Sequence, residues 1–271
     1  MKKSVILLLL FIWDISFANG VRILTGNFYP GGLNIAEIKD YKGAYIEIIS
    51  SGKKYTFPAL SSKVFFGIPY SAGKMVELNI IRNGKVIYRE FIRIKPRKYP
   101  VSRITVKERK LTRELLERIK KESALIKKVL SIKTEKLFRE ESFIPPLDRM
   151  VISTPFGAKR IINGKKRSIH WGADFAAPEG TPVYATLSGR VVLAQELYYT
   201  GKTVIINHGL SLFSLYAHLS RINVREGQQV KGGQLIGNVG STGRSTGPHL
   251  HFGIYINRLR VDPVLALRLN L

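Results

Sequence analysis

The chain has 271 residues, 45% of them apolar, and a formal net charge of +25. That length holds one large domain or two smaller ones, either able to bury a core, and no apolar run reaches the ~18 residues of a membrane-spanning helix. Cys is absent, which rules out disulfides and thiol chemistry, and so strong a positive charge draws the chain towards polyanions.

The N-terminus reads as an export signal over residues 1–18. Lys2 and Lys3 supply the positive start, Val5 to Trp13 a short apolar core, and Ser16-Phe17-Ala18 the small residues a signal peptidase reads. Cleavage is expected after Ala18, with no membrane span afterwards, and the expected address is the periplasm or cell envelope. The positive charge is spread along the chain, with 14 basic and 5 acidic side chains in residues 19–100 alone. No nucleic-acid motif is visible, so nucleic acid is not an expected partner. An envelope polymer bearing carboxylates suits the charge, and a general solubility or heat-adaptation signature accounts for it equally well.

Residues 19–98 read as an all-β module. Tyr45–Ile49, Lys54–Phe57 and Lys63–Ile68 are short runs rich in β-branched and aromatic residues, separated by turn residues. Val76–Ile81 and Val86–Ile92 flank Asn83-Gly84, the pair that accepts the positive φ angles of a two-residue hairpin turn. The spacing suggests a small sandwich. It contains no histidine and no carboxylate cluster, so binding or covering is expected of it rather than chemistry.

Pro96 to Pro100 marks a boundary, and the period then changes. Leu116, Ile119, Ile126, Val129 and Leu130 share one face of a helix N-capped by Thr112. Glu114–Arg118 and Glu117–Lys121 are expected to pair on its wet side. The helix should fade towards Phe138 and end by Phe143-Ile-Pro-Pro146. Residues 99–149 are thus read as a helical connector.

Residues 150–271 are again strand-rich, with runs at Val183–Ala185, Gly189–Leu193, Thr203–Asn207, Leu212–Tyr216 and His249–Ile256. Frequent Gly and Pro favour a compact antiparallel β domain. Asn163-Gly164 is a second hairpin signal, with His170 just beyond its second arm.

All five histidines, His170, His208, His218, His249 and His251, fall in this last region. Alternate side chains of a strand share a face, so His249 and His251 point one way and Leu250 the other, and Tyr216 and His218 are paired likewise. His170 and Asp174 are four apart, but Gly172 and Pro178 argue against a helix, so a loop entering a strand must bring them together. Imidazoles and one carboxylate suit Zn2+, and three protein ligands leave a position open for water. Spacing alone leaves open a closed structural site made of His170, Asp174, His249 and His251, and also a metal-free β domain. His208, in Asn207-His208-Gly209, reads as a turn residue. Tyr216 lines the groove or packs in the core, and Gly240–Gly247 shapes the groove or simply marks tight turns.

His170-Trp-Gly-Ala-Asp174-Phe-Ala-Ala-Pro-Glu-Gly-Thr-Pro-Val, then Tyr216-Ala-His218-Leu, then Gly240-Ser-Thr-Gly-Arg-Ser-Thr-Gly-Pro-His249-Leu-His251-Phe resembles the M23 zinc metallopeptidases of the lysostaphin and LytM type. The likeness runs from about Met150 to Pro263, and the upstream arrangement looks like members with an immunoglobulin-like N-terminal module. The resemblance implies His170, Asp174 and His251 as zinc ligands and His218 and His249 as catalytic residues, with peptidoglycan peptides as substrate. By the same analogy a D-alanyl–diamino-acid bridge is favoured over a glycine bridge. Relatives that activate amidases without cutting typically lose some of these residues, whereas this chain keeps all five. A non-catalytic wall-binding regulator is the rival reading. A carrier of the biotinyl–lipoyl shape, suggested by Val224–Gly237, lacks the expected lysine turn.

Overall fold

A computed structural model describes residues 20–104, 112–139, 141–164 and 166–269; the expected export signal lies outside them. The first module has seven strands, β1 (Val21–Ile23), β2 (Leu33–Ile38), β3 (Ala44–Ser50), β4 (Lys53–Pro58), β5 (Lys63–Gly67), β6 (Met75–Arg82) and β7 (Lys85–Arg93). They form two antiparallel sheets, β1-β2-β5 and β4-β3-β6-β7. Leu33, Ile35 and Phe66 from one sheet and Ile46, Ile48, Leu78 and Ile80 from the other are almost fully buried. This is the sandwich expected from the alternation. The β6–β7 hairpin turns at Asn83 and Gly84, with φ of 50° and 76°, as the two-residue turn requires.

Residues 99–149 are helical over only part of their length. They open with β8 (Val101–Ile104), which lies parallel to a strand of the following domain. Helix α1 (Arg113–Val129) has the expected N-cap, the Thr112 side chain accepting from the Leu115 N–H. It stops at Val129 rather than fading towards Phe138. Its C-terminal half docks: Val129 and Leu130 are buried against Leu193, Phe213 and Leu215 with Leu125 and Ile126 packed alongside, while Leu116 stays exposed. Its ion pairs run basic before acidic, Arg113–Glu117 and Arg118–Glu122, instead of the acidic-before-basic pairs expected. Past the helix, backbone bonds to the domain beyond replace helical ones. Phe138 N–H donates to His208 O, Ile144 N–H to Thr186 O, and Pro146 O accepts from Tyr184 N–H.

The C-terminal domain contains β9 (Ile152–Thr154), β10 (Lys159–Ile162), β11 (Lys166–Ile169), β12 (Ala173–Ala176), β13 (Pro182–Tyr184), β14 (Gly189–Leu197), β15 (Gly201–Gly209), β16 (Leu212–Ile222), β17 (Gln229–Val230), β18 (Leu235–Val239), β19 (His249–Ile256), β20 (Leu259–Val261) and the short helix α2 (Pro263–Ala266). Its main sheet runs β17-β14-β15-β16-β19-β12-β9, with β18 joined to β13 and β16, and β20 to β19. The β10–β11 hairpin and β8 make a small separate sheet. The region with carrier-like spacing folds into β17 and β18.

The two β modules share one continuous apolar core. At their junction Tyr70 packs on Tyr99 and Trp171, with ring centroids 4.8 and 5.4 Å apart. The Asp262 N–H donates to Gly31 O at 2.7 Å, and the buried Asp262 carboxylate pairs with Arg97. No helix among the described residues is long and apolar enough to cross a membrane.

Candidate metal centre and its flanking histidines

Strand register builds the centre. In the β12–β19 pair Asp174 stands opposite His251 and Ala176 opposite His249, and in the β16–β19 pair Ala217 stands opposite His251. Directly opposed side chains on one face are close neighbours, so Asp174 Oδ1 lies 2.7 Å from His251 Nδ1. The alternation along β19 is as expected: His249 and His251 both line the groove, while Leu250 is fully buried on the other face. His170 arrives from the end of β11, its Nε2 lying 2.9 Å from Asp174 Oδ1 and 3.0 Å from His251 Nδ1. Gly172 makes this approach possible. A Cβ there would stand 2.5 Å from the Phe252 carbonyl oxygen and 2.7 Å from the His251 ring.

His170, Asp174 and His251 therefore offer two nitrogens and one oxygen to a single point. Ligand atoms bound tetrahedrally at ~2.0–2.1 Å lie about 3.3 Å apart, and closing from the 2.7–3.0 Å hydrogen-bonded triangle to that spacing needs only small movements. The outer contacts suit a metal centre too. His170 Nδ1–H donates to the Pro155 carbonyl at 3.1 Å, which turns the Nε2 lone pair inward, and Arg160 lies 3.5 Å from Asp174 Oδ2. Such partners fix the orientation of ligands. Burial pushes the Asp174 pKa upward, but hydrogen bonds from His170 and His251 outweigh it and hold the carboxyl well below the usual range. Burial lowers the His251 pKa against the pull of Asp174. The donor set fits Zn2+.

His218 reaches the same groove by breaking the strand rule. Val204 pairs with Tyr216 and Lys202 with Leu219, so β16 carries an extra residue there, and His218 has a left-handed φ of 62°. The bulge turns consecutive side chains out of alternation. Tyr216 and His218 consequently do not share a face, contrary to the period-two expectation. Tyr216 is fully buried, its hydroxyl accepting from Thr186 N–H at 2.8 Å, while His218 lines the groove. A non-glycine residue in this backbone region costs on the order of 1 kcal/mol or more and clusters at functional sites.

The His218 and His249 rings lie 4.8 Å apart, and His218 lies 6.0 Å from His251. Each holds its Nδ1–H on a backbone carbonyl, His218 on Thr242 O and His249 on Gly247 O, both at 2.8 Å. Nε2 is then the nitrogen available for proton transfer in both rings. Burial lowers the His218 pKa to about 4, against the Thr242 hydrogen bond, which raises it. His249 Nε2 is 3.8 Å from Asp174 Oδ1.

His208 lies outside the groove. It is a buried strand residue of β15 rather than a turn residue, with Nδ1 3.0 Å from Ser188 O and Nε2 2.7 Å from Ser214 Oγ. The groove, about 870 Å³ in volume, is also lined by Arg160, Trp171, Tyr199, Arg244 and Arg260. The segment Arg244 to Pro248 shapes one wall, as the glycine-rich run suggested. The carbonyls that orient the histidines carry no side-chain signal in the sequence. Arg160 had one available clue, its place three residues before Asn163 in the hairpin leading to His170.

Residues 168–263 match the model of peptidase family M23. Among curated relatives, the peptidoglycan DD-endopeptidase ShyA of Vibrio cholerae is 45% identical over 121 residues, covering 44% of this chain and 27% of that protein. The DD-carboxypeptidase/endopeptidase Mpg of Neisseria meningitidis is 46% identical over 121 residues, 45% of this chain and 28% of the relative. The match thus spans about a quarter of these relatives' length. A crystal structure of an M23 peptidase candidate from Pseudomonas aeruginosa follows the fold more fully, with 28% identity, a TM-score of 0.66 and coverage of 89% of this chain and 96% of that one. The motif order, the converging His-Asp-His donors and the family match agree, and the C-terminal domain of this chain belongs to peptidase family M23, the zinc metallopeptidases.

Proposed function

We propose that the protein is an exported zinc metalloendopeptidase that hydrolyses the peptide cross-bridges of bacterial peptidoglycan. The observation that carries this reading is the convergence, in one groove, of the His170–Asp174–His251 donors with two further imidazoles whose Nδ1 atoms are already committed to carbonyls. His170, Asp174 and His251 would hold the ion. When bound, zinc lowers the pKa of a coordinated water and polarises a carbonyl. His218 and His249 do the proton work through Nε2. A neutral imidazole accepts the proton of the attacking water, and the imidazolium so formed returns it to the departing amine nitrogen. The low pKa of His218 keeps it neutral at pH 7, ready to accept. Protonated, either ring also donates to negative charge developing on the scissile carbonyl oxygen.

The substrate assignment is supported by the names of the two relatives, a peptidoglycan DD-endopeptidase and a DD-carboxypeptidase/endopeptidase. In the chain's own terms the groove suits an anionic polymer, being lined by three arginines and a single carboxylate. Incubation of the purified protein with peptidoglycan, with and without a chelator, tests the reading. Soluble muropeptides should appear, stop appearing with chelator, and return when zinc is restored. A protein that binds the wall and holds zinc yet releases no fragments would instead be the non-catalytic regulator.

A further inference from the structure

Four charged residues line the groove: Asp174, Arg160, Arg244 and Arg260. Asp174 faces the histidines with Oδ1 and Arg160 with Oδ2, so that carboxylate and Arg160 answer one another. Arg260 lies over the rings of Trp171 and Tyr255, at 5.3 and 5.9 Å. Neither Arg260 nor Arg244 has a carboxylate partner among the described residues, and Arg244 differs in lying on the segment whose carbonyls orient His218 and His249. It is exposed on the groove wall, and its place is nevertheless set. Its backbone N–H donates to Tyr199 O at 2.9 Å, and its guanidinium carbon stands 4.7 Å above the Tyr199 ring. That corner is braced from behind, where Glu122 of α1 accepts from the Tyr198 N–H at 2.9 Å.

The position of Arg244 in its loop gives the guanidinium a role. Thr242 supplies the carbonyl that orients His218, and Gly247 the one that orients His249. Arg244 lies between them in the same segment, so an anion held there is registered to both proton-transferring rings. A planar guanidinium stacked on an aromatic ring keeps its N–H fork for a carboxylate, which it grips in two parallel bonds. We propose that Arg244 is a specificity-determining residue that receives a free carboxylate carried by the substrate residue flanking the scissile amide. This rests on the peptidase reading above.

The test uses zinc-loaded full-length protein and two short cross-bridge peptides, identical except that the carboxylate beside the scissile amide is free in one and amidated in the other. The wild type should cut the free-acid peptide on the order of 10- to 100-fold better in kcat/KM, the scale of a charge-assisted pair. Most of the difference should lie in KM, and it should shrink as salt rises. Arg244→Gln should bring the ratio of the two peptides close to one, and Arg244→Lys should leave it intermediate, since an ammonium keeps the charge but not the fork. As a readout besides turnover, calorimetric Kd values for the two peptides on His249→Ala should differ by a similar factor. That factor should disappear in His249→Ala/Arg244→Gln. A wild-type ratio near one, or a ratio that survives Arg244→Gln, overturns the assignment of Arg244 while leaving the peptidase reading intact. A wild type that cuts neither peptide and releases nothing from peptidoglycan overturns that reading, and this inference with it.

Discussion

In the N-terminal sandwich three of the buried polar side chains find their partners close to home, and the fourth, Ser50, keeps its Oγ without one. Asn34 bonds Asn27 O and Thr25, Glu47 pairs with Lys54, and Asn79 bonds Glu77 and Arg89. Every one of these partners lies within ten residues in sequence. In the C-terminal domain the polar groups of the groove meet across the chain: His251 and Asp174 are 77 residues apart, and His170 and His251 81. Local pairing leaves Asn34, Glu47 and Asn79 no free chemistry, because each is matched by a near neighbour in the chain. Long-range register instead brings three ligand atoms together at one point. Both modules are twisted antiparallel sheets with apolar interiors, so the difference lies in where strand ends and loops deliver polar residues rather than in the kind of fold.

The sharpest way to break that contrast is to remove one of the three donors. His170→Ala, Asp174→Ala and His251→Ala should each abolish zinc retention and with it detectable activity, because a three-ligand site cannot spare one; metal analysis after dialysis, alongside muropeptide release, reads both. Full zinc in His251→Ala combined with loss in His249→Ala would reverse the assignment within the His249-Leu-His251 motif. Next in size are the two flanking rings. His218→Ala and His249→Ala should keep zinc near one per chain yet slow cleavage by roughly 100-fold or more, the usual scale of general acid–base groups. Near wild-type cleavage by either variant would remove that ring from the proton path.

The junction between the modules offers a smaller, structural perturbation. Asp262 is almost wholly buried, caps α2 by accepting from Val264 N–H, and pairs with a quarter-exposed Arg97 from the other module. Arg97→Ala strands that carboxylate. Breaking a fully buried pair costs ~3–5 kcal/mol, and the partial exposure of Arg97 reduces the expected loss to about 2 kcal/mol. Denaturant unfolding should show this as a lower midpoint, with zinc binding at saturating metal preserved. An unchanged midpoint would mean that water replaces Arg97 at no cost. The aromatic cluster of Tyr70, Tyr99 and Trp171 gives the junction its connection to the site, since Trp171 directly follows His170. Among the described residues of the first module, 20–98, none lines the groove, so the packing seen here supports the site from beneath rather than covering it.

Much of this arrangement was legible in the residues. The Asn83-Gly84 turn, five of the seven strands of the first module, the Thr112 cap and the shared face of His249 and His251 all follow from local rules acting over a few residues. What failed did so where a local rule was overridden. The alternation of Tyr216 and His218 breaks because one extra residue enters β16, and nothing in Tyr-Ala-His-Leu announces a bulge. The helix stops at Val129 because the following chain finds backbone partners in β15 and beside β13, which apolar spacing cannot foresee. The carbonyls of Pro155, Thr242 and Gly247, which set the tautomers of three histidines, belong to the backbone and leave no mark in side-chain chemistry.

The fifth histidine tests the comparison from inside the C-terminal domain, because its ring is fully engaged away from the groove although one partner, Ser188, is 20 residues distant. His208 is fully buried, with both ring nitrogens engaged by Ser188 O and Ser214 Oγ. Burial lowers its pKa to about 4, against the Ser188 hydrogen bond, which raises it. An exposed histidine titrates near 6.5, so between those two values the unfolded chain binds a proton that the folded chain refuses. Stability from this residue is therefore complete above about pH 6.5 and is lost progressively as pH falls towards 4. Lowering the pH from 7.5 to 5.5 should cost about 1 kcal/mol through His208 alone. His208→Gln removes the titrating group, so its unfolding free energy should fall by correspondingly less than the wild type's over the same interval, whatever its absolute stability. Cleavage by the zinc-loaded variant at pH 7.5 should change little, since the ring touches neither the donors nor the groove. Equal pH slopes in the two proteins would mean that His208 takes up its proton within the folded state, through an opening that relieves its burial, and would place it among the responsive groups of the domain rather than the fully engaged ones.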